Sequence, residues 1–405
     1  MTLQAIWLSE LKMGAAKKKR FLEHFSSIED LYSATESDYR QSGLFSHTDI
    51  EKLKRKSLKD AEKILEKCYI EGIRTISIED DEYPERLANI DDAPIVLYYK
   101  GNLPSFDTEL AIAMVGPRRN TAYGKMAAER LAYELSSCGA HIVSGLALGV
   151  DALAHTGALL AGGTTTAVLG CGPDIIYPKT NTNLYEEICV RGCIISEYPP
   201  GTPPERFHFP ARNRIVSGLS VGVLVIEADK KSGSLITAKH ALEQGKDVFA
   251  VPGNIDVPTS VGTNSLIQSG AKLVTCGSDI LDEYTGLGLF PDVEQRIIDT
   301  KSAYKATTDD SGRQAPVYSD PPLFEKKVDT TKIYDKLKST FTENQLKIIL
   351  SLVNEPLHLD SIIEVCGLSA ARVLAELTVL ELEGAVKQMS GKRFSITDMI
   401  IQGGF

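Results

Sequence analysis

The sequence predicts an α/β protein: a Rossmann-like, doubly wound parallel sheet, with an N-terminal helical domain and a C-terminal winged-helix-like domain. Three observations predict this. From about residue 108 to 285, short apolar β-rich runs alternate with helical patterns, as in a parallel sheet covered on both faces. Before residue 75 the apolar positions recur at helical spacing. After residue 330, three helical patterns lead into a hairpin pattern.

Residues 1–75 form the helical domain, with polar turns such as Ser26-Ser27 and Ser46-His47-Thr48 between short segments. Gly-containing turns flanked by Lys and Arg suit small hairpins of the helix-hairpin-helix or SAM-like kind. The Lys17–Arg20 run is either a DNA contact or a solvated helix face. Residues 76–288 form the Rossmann-like domain. Its strands are Leu110–Val115, His141–Val143, Thr165–Leu169, Cys193–Ile195, Val221–Ile226, Asp247–Val251 and Lys272–Val274, with helices predicted over Ala122–Ser137 and Val150–Leu160. Ligands of such a sheet sit at the C-terminal ends of the strands. Residues 289–330 read as a polar linker carrying Thr307-Thr-Asp-Asp-Ser-Gly-Arg313 and Asp320-Pro-Pro322. Residues 331–405 form the winged-helix-like domain, with helices over Glu343–Val353, Leu359–Val365 and Ser369–Glu383 and a hairpin turning at Ser390-Gly391.

Composition bounds the partners. A net charge of −10 argues against a chain that coats itself in nucleic acid, though a local basic groove remains compatible with it. The 7 cysteines form no C-x-x-C pair and are odd in number, which argues against a disulfide framework or a zinc site and for reduced thiols in a cytoplasmic protein. Met1–Leu8 is too short for a signal peptide, and Glu10 interrupts it. Gly139–Gly172 has Asp151 as its only charged residue, but repeated glycines make two buried strands around a helix the better reading than a membrane span.

No nucleotide fingerprint is complete. Gly170-Cys-Gly172 starts like G-x-G-x-x-G, but Ile175 stands at the third position, and Gly245-Lys246 is followed by Asp247. No histidine pair has metal-ligand spacing, and Ser144-Gly145 lacks the first glycine of a nucleophile elbow. No cofactor, metal or catalytic residue is therefore expected. His155 reads as a core or cap histidine. Asp151 and Glu227 lie near strand ends as an acid or base, and Asp151 suits a helix N-cap equally.

Four strand-end loops instead carry small, hydroxyl and basic residues: Gly116–Thr121, Ser144–Gly149, Phe207–Arg214 and Lys230–Thr237. Small residues let backbone N–H groups approach an anion, helix N-termini add positive potential, and Arg grips phosphate bidentately. Any one loop reads equally well as a tight turn, and Arg212 and Arg214 equally well as ion pairs. Together the four point to a shared phosphate site. Tyr198, Phe207 and Phe209 flank it, a pairing of rings and guanidinium groups that suits single strands; one of the two Phe residues is expected in the core.

These residues carry a resemblance. Tyr83-Pro84, Pro94–Tyr98 with Lys100-Gly101, Met114-Val-Gly116, Val143–Ala147, Ser196–Gly201, Phe209-Pro with Arg212–Ile215, Ser232–Ala238 and Val251-Pro-Gly253 resemble the DNA-processing protein A family, also called DprA or Smf. The likeness covers roughly residues 80 to 275. It implies a dimerising Rossmann-like core that binds single-stranded DNA and hands it to the RecA recombinase during natural transformation, without enzymatic chemistry. Carried to this chain, the site comprises Gly116, Arg118, Thr121, Gly145, Phe209, Arg212, Asn213, Arg214, Ser232 and Gly233. Local charge adds Arg119, Arg206 and Lys231. Pro117 departs from the small hydroxyl residue usual in the family, which removes an N–H and a hydroxyl. The alternative is a nucleotide-processing enzyme of the lysine-decarboxylase-like Rossmann group, but Ser232–His240 supplies no catalytic Glu. In the last domain, Arg372 is the one basic residue of Ser369–Glu383, against Glu376, Glu381 and Glu383, so this helix is not expected to read a major groove. Lys387, Lys392 and Arg393 on the wing remain available to a phosphate.

Overall fold

The computed structural model describes residues 2–296, 340–352, 357–389 and 393–396. The chain divides into two compact units, Met1–Asp309 and Asp310–Phe405.

The first unit opens with six helices: α1 Leu3–Glu10, α2 Ala15–Phe25, α3 Ile28–Ser33, α4 Glu36–Gln41, α5 His47–Leu53 and α6 Lys59–Ile70. Their starts follow from the sequence. Ser27, Thr35 and Ser46 accept hydrogen bonds from the backbone N–H three residues on, and Asp38 and Asp49 complete capping boxes. Trp7, Phe21, Tyr39 and Leu53 pack with Ile95, Val96 and Tyr98 in one core. The helices are thus seated on the sheet that follows. The Lys17–Arg20 run serves that seating. Lys17 pairs with Asp49, Lys18 is buried and donates to the Ser9 carbonyl, and Lys19 donates to the Ile90 carbonyl at 2.9 Å. Neither sequence reading of this run holds for those three lysines; only Arg20 is exposed.

The sheet has nine strands: β1 Arg74–Ser77, β2 Val96–Gly101, β3 Ala111–Val115, β4 His141–Ser144, β5 Thr165–Val168, β6 Cys193–Ser196, β7 Gly222–Val225, β8 Asp247–Ala250 and β9 Lys272–Leu273. Their order is β1-β2-β6-β5-β4-β3-β7-β8-β9. The seven from β3 to β9 run parallel, as the alternation predicts. β1 and β2 are additional and antiparallel, so the predicted boundary at residue 75 falls inside β1. The remaining helices are α7 Glu85–Ala88, α8 Ala122–Ser137, α9 Val150–Leu160, α10 Thr182–Arg191, α11 His208–Gly218, α12 Ser234–Glu243, α13 Val261–Gln268 and α14 Ser278–Tyr284. One face of the sheet packs on α7, α11 and α12, and the other on α8, α9 and α14. Phe290 and Val293 belong to that second core, so the core extends past the predicted linker boundary at residue 289. The rest of the predicted linker, from 297, lies outside the described residues. β4, α9 and β5 account for the apolar run 139–172, and no helix among the described residues is long and apolar enough to cross a membrane. All 7 cysteines are free thiols.

Two buried histidines lie on opposite faces of the sheet: His155 of α9 against one, and His141 of β4 against the other, where its ring meets Phe106. His141 bonds Thr164 and Thr166, each at 2.8 Å, and His155 bonds Thr165 at 2.7 Å. Burial pushes both imidazoles down to about 3 from 6.5 and keeps them neutral. Their folded values lie below the unfolded one, so their stabilising contribution is complete above pH 6.5 and drains away as pH falls toward 3. Denaturant unfolding at pH 7 and pH 5 should therefore show a lower midpoint at pH 5, with about half of that difference removed in His155→Gln, since His141 carries an equal share.

The second unit holds α15 Glu343–Ser351, β10 Leu357–His358, α16 Leu359–Cys366, α17 Ala370–Leu382, β11 Val386–Met389 and β12 Arg393–Ile396. Its small antiparallel sheet has the order β10-β12-β11. Leu346, Ile349, Ile362, Val373, Leu377 and Phe394 form the core of this three-helix, winged arrangement. Arg372 pairs with Glu376 at 2.9 Å on α17. The predicted turn at Ser390-Gly391, like Lys392, lies outside the described residues.

Candidate functional site

The chain leaves β3 for β4 on one side and returns to β7 on the other, so the sheet has its switch point at β3. Loops diverge there and leave a crevice at the carboxyl edge. The crevice is a cavity of about 820 Å³ lined by Gly116, Pro117, Arg118, Ala147, Asp151, Tyr177, Pro204, Arg206, Phe209, Pro210, Arg212, Asn213, Ser232, Gly233, Ser234, Ile236 and Thr237, among others. The four loops singled out in the sequence do converge on it.

The Phe207–Arg214 segment is not a loop, however. From His208 it is the first turns of α11. Positions three and four apart share a helix face, so Phe209, Arg212 and Asn213 point the same way, into the cavity. Arg214 is two positions from Arg212 and faces the opposite side. It is buried, pairs with Glu197, reaches Asp92 at 3.2 Å and donates to the Ala211 carbonyl at 3.0 Å. Arg214 is therefore a structural ion pair, not a ligand contact, which corrects the sequence assignment.

Arg212 forms the cavity floor. Its guanidinium donates to the carbonyls of Gly145, at 2.9 Å, and Val168. A Cβ on Gly145 would strike that guanidinium, so glycine here is what admits the arginine. Burial lowers the Arg212 pKa, and the carboxylate of Asp151 opposes the shift. Burial likewise raises Asp151, with Arg212 acting against it. Gly149, not Asp151, is the N-cap of α9; its φ is +79°, and Asp151 sits in the first turn. A side chain on Gly149 would overlap the carbonyls of Pro117 and Arg118, so this glycine supports the neighbouring wall.

Arg118 forms the opposite wall. It stands exposed, with its guanidinium 5.4 Å from the Phe209 ring centroid. Tyr177 lies 5.5 Å from the same ring. Nothing in the sequence marks this aromatic, because it stands after Gly170-Cys-Gly172, apart from the four loops that carry the basic residues. One of the two Phe residues is expected in the core from the sequence, but neither is buried: Phe209 is half-buried in the cavity, and Phe207 is 66% exposed. Tyr198 instead stacks on His208 at 4.0 Å, beside the site.

Thr121 also departs from expectation. It caps α8, accepting from the Gly124 N–H at 3.0 Å. Its own N–H and hydroxyl donate to the buried Glu227 carboxylate at 3.0 and 2.6 Å, and Thr259 donates to the same group at 3.1 Å. Glu227 is a brace between loops, and it occupies the anion position at this helix end. Arg119 and Lys231 are exposed but do not line the cavity. Of the sequence-named residues, Gly116, Arg118, Arg206, Phe209, Arg212, Asn213, Ser232 and Gly233 do.

Comparison with known proteins places the chain in a family. The family model for DNA recombination-mediator protein A matches residues 74–285. The chain belongs to that family. The model for the DprA winged helix domain matches residues 339–392. Protein Smf of Synechocystis sp. is 37% identical over 96% of this chain and 98% of its own length. The solved DNA processing protein A of Streptococcus pneumoniae superposes with a TM-score of 0.62 and 40% identity, over 70% of this chain and 98% of that one. The solved Helicobacter pylori DNA processing protein A, whose structure was described for its single-stranded DNA binding mode, gives 0.48 and 36% over 52% of this chain and 95% of that one. Pro117 is a half-buried cavity wall whose carbonyl accepts from the Val150 N–H at 3.3 Å.

Proposed function

We propose that this recombination mediator binds single-stranded DNA in the crevice at β3, carries out no covalent chemistry, and acts as a homodimer that passes the strand to the RecA recombinase during natural transformation. One observation carries the binding step: Arg118, Phe209 and Tyr177 put a guanidinium and two rings over one cavity. Rings stack on any unpaired base and cations hold the phosphates, so such a site takes single strands without reading sequence. The resemblance to the family, together with family membership, supports the hand-over and the dimer. The absence of a catalytic Glu in Ser232–His240 supports a role without turnover.

Fluorescence anisotropy with labelled oligonucleotides over a range of salt tests the reading. Arg118 and Arg206 line the cavity and Lys230 and Lys231 border it, so affinity should fall with a log–log slope of about −2 to −3, given roughly −0.7 per phosphate neutralised on a single strand. A duplex of equal length should bind more weakly. Equal affinity for duplex, or no salt dependence, would sink the site, and base release from nucleoside monophosphates would sink the non-enzymatic reading.

A further inference from the structure

An exposed apolar ledge adjoins the crevice. On the first turns of α8, Tyr123 and Met126 are three residues apart and share a face, and both are exposed. The Tyr123 hydroxyl donates to the Pro252 carbonyl at 2.9 Å, which ties this face to the loop after β8. Ile255 stands on that loop, 84% exposed. Arg119 and Lys125 are exposed on the same stretch, and the acidic groups nearby in sequence are Glu129 and Asp256.

The position of this ledge is fixed by topology. β8 follows β7 in the sheet, so its loop is the next along the carboxyl edge after the loops that form the crevice. Glu227 binds Thr121 on one side and Thr259 on the other, joining the two loops into one surface. That same carboxylate cancels the positive end of α8, so the ledge does not attract a phosphate at its centre. It offers flat apolar area in the middle and cations at the margin, the layout that suits bases over phosphates.

Taking the crevice as a single-strand site, as proposed above, we infer that a strand leaving it continues across Tyr123, Met126 and Ile255, with bases against these side chains and its backbone beside Arg119 and Lys125. The ledge is a second, sequence-tolerant subsite that only longer strands reach.

Binding of oligothymidylates of about 4 and about 12 nucleotides, within the usual span of single-strand sites, tests this. The parent protein should bind the longer one more tightly by clearly more than its extra registers allow. Tyr123→Ala should weaken the longer strand about tenfold, the loss of one stack, and Ile255→Ser severalfold, the loss of an apolar contact, while both leave the shorter at parent affinity. Lys125→Ala should lower the salt slope for the longer strand by about 0.7 and not for the shorter. Ile255→Ser alters an exposed loop tip, so retained binding of the short strand reports an intact fold. Parent-like binding of the longer strand by both Tyr123→Ala and Ile255→Ser overturns the ledge and leaves the crevice standing. Failure of the parent protein to bind either length overturns the crevice and the ledge with it.

Discussion

Replacing Arg118 and Phe209 together by alanine is expected to lower the affinity for single-stranded DNA roughly a hundredfold, because a lost stack and a lost phosphate grip each cost about 1–3 kcal/mol. The two side chains meet across the crevice at 5.4 Å, so on the proposed reading they would meet the same nucleotide, and their effects should not add independently. A double-mutant cycle by anisotropy would show the coupling. Arg118 is exposed and Phe209 half-buried, so thermal unfolding should move by only a few degrees. Near-parent affinity in the double variant would place the DNA elsewhere on the molecule.

Arg214→Ala has the opposite signature. The guanidinium is buried between Glu197, Asp92 and two backbone carbonyls, and its side chain is 6% exposed. Removing it leaves Glu197 without a partner beside a closed core, at a cost of about 3 kcal/mol, below the full penalty for a buried pair because Asp92 is 39% exposed. Burial and the two carboxylates act on Arg214 in opposite directions, and the carboxylates win, since its pKa is raised. Urea unfolding should report the loss as a lower midpoint with unchanged slope. Any fall in DNA affinity should track the unfolded fraction. An Arg214→Ala protein of parent stability that no longer binds DNA would restore it to the site.

The contrast between these two arginines shows what the sequence could and could not convey. The parallel core was legible: α8 and α9 begin and end where their periodicity and flanking glycines place them. β1 and β2 were not, because they add antiparallel strands before the alternation begins and their buried face is covered by the helical domain. The convergence of loops was legible from residue types. The roles inside Phe209–Arg214 were not, because they depend on whether that segment is loop or helix. Once it is helix, a 100° step per residue sends Arg212 into the cavity and Arg214 into the core. Thr121 was similarly opaque. Its partner Glu227 is 106 residues away, and only the fold brings them together.

Glu227 bears on how a strand is received. With its carboxylate fastening Thr121 and Thr259, and with Gly149 wedged beneath Pro117, the walls of the crevice are set before any ligand arrives. The entropy of ordering is then borne by the DNA rather than by the protein. A strand already coiled by its own stacking must first uncoil to enter, whereas a limp one can settle directly. On the single-strand reading proposed above, the crevice is a mould, and discrimination between nucleic acids would follow from their stiffness before any base is touched.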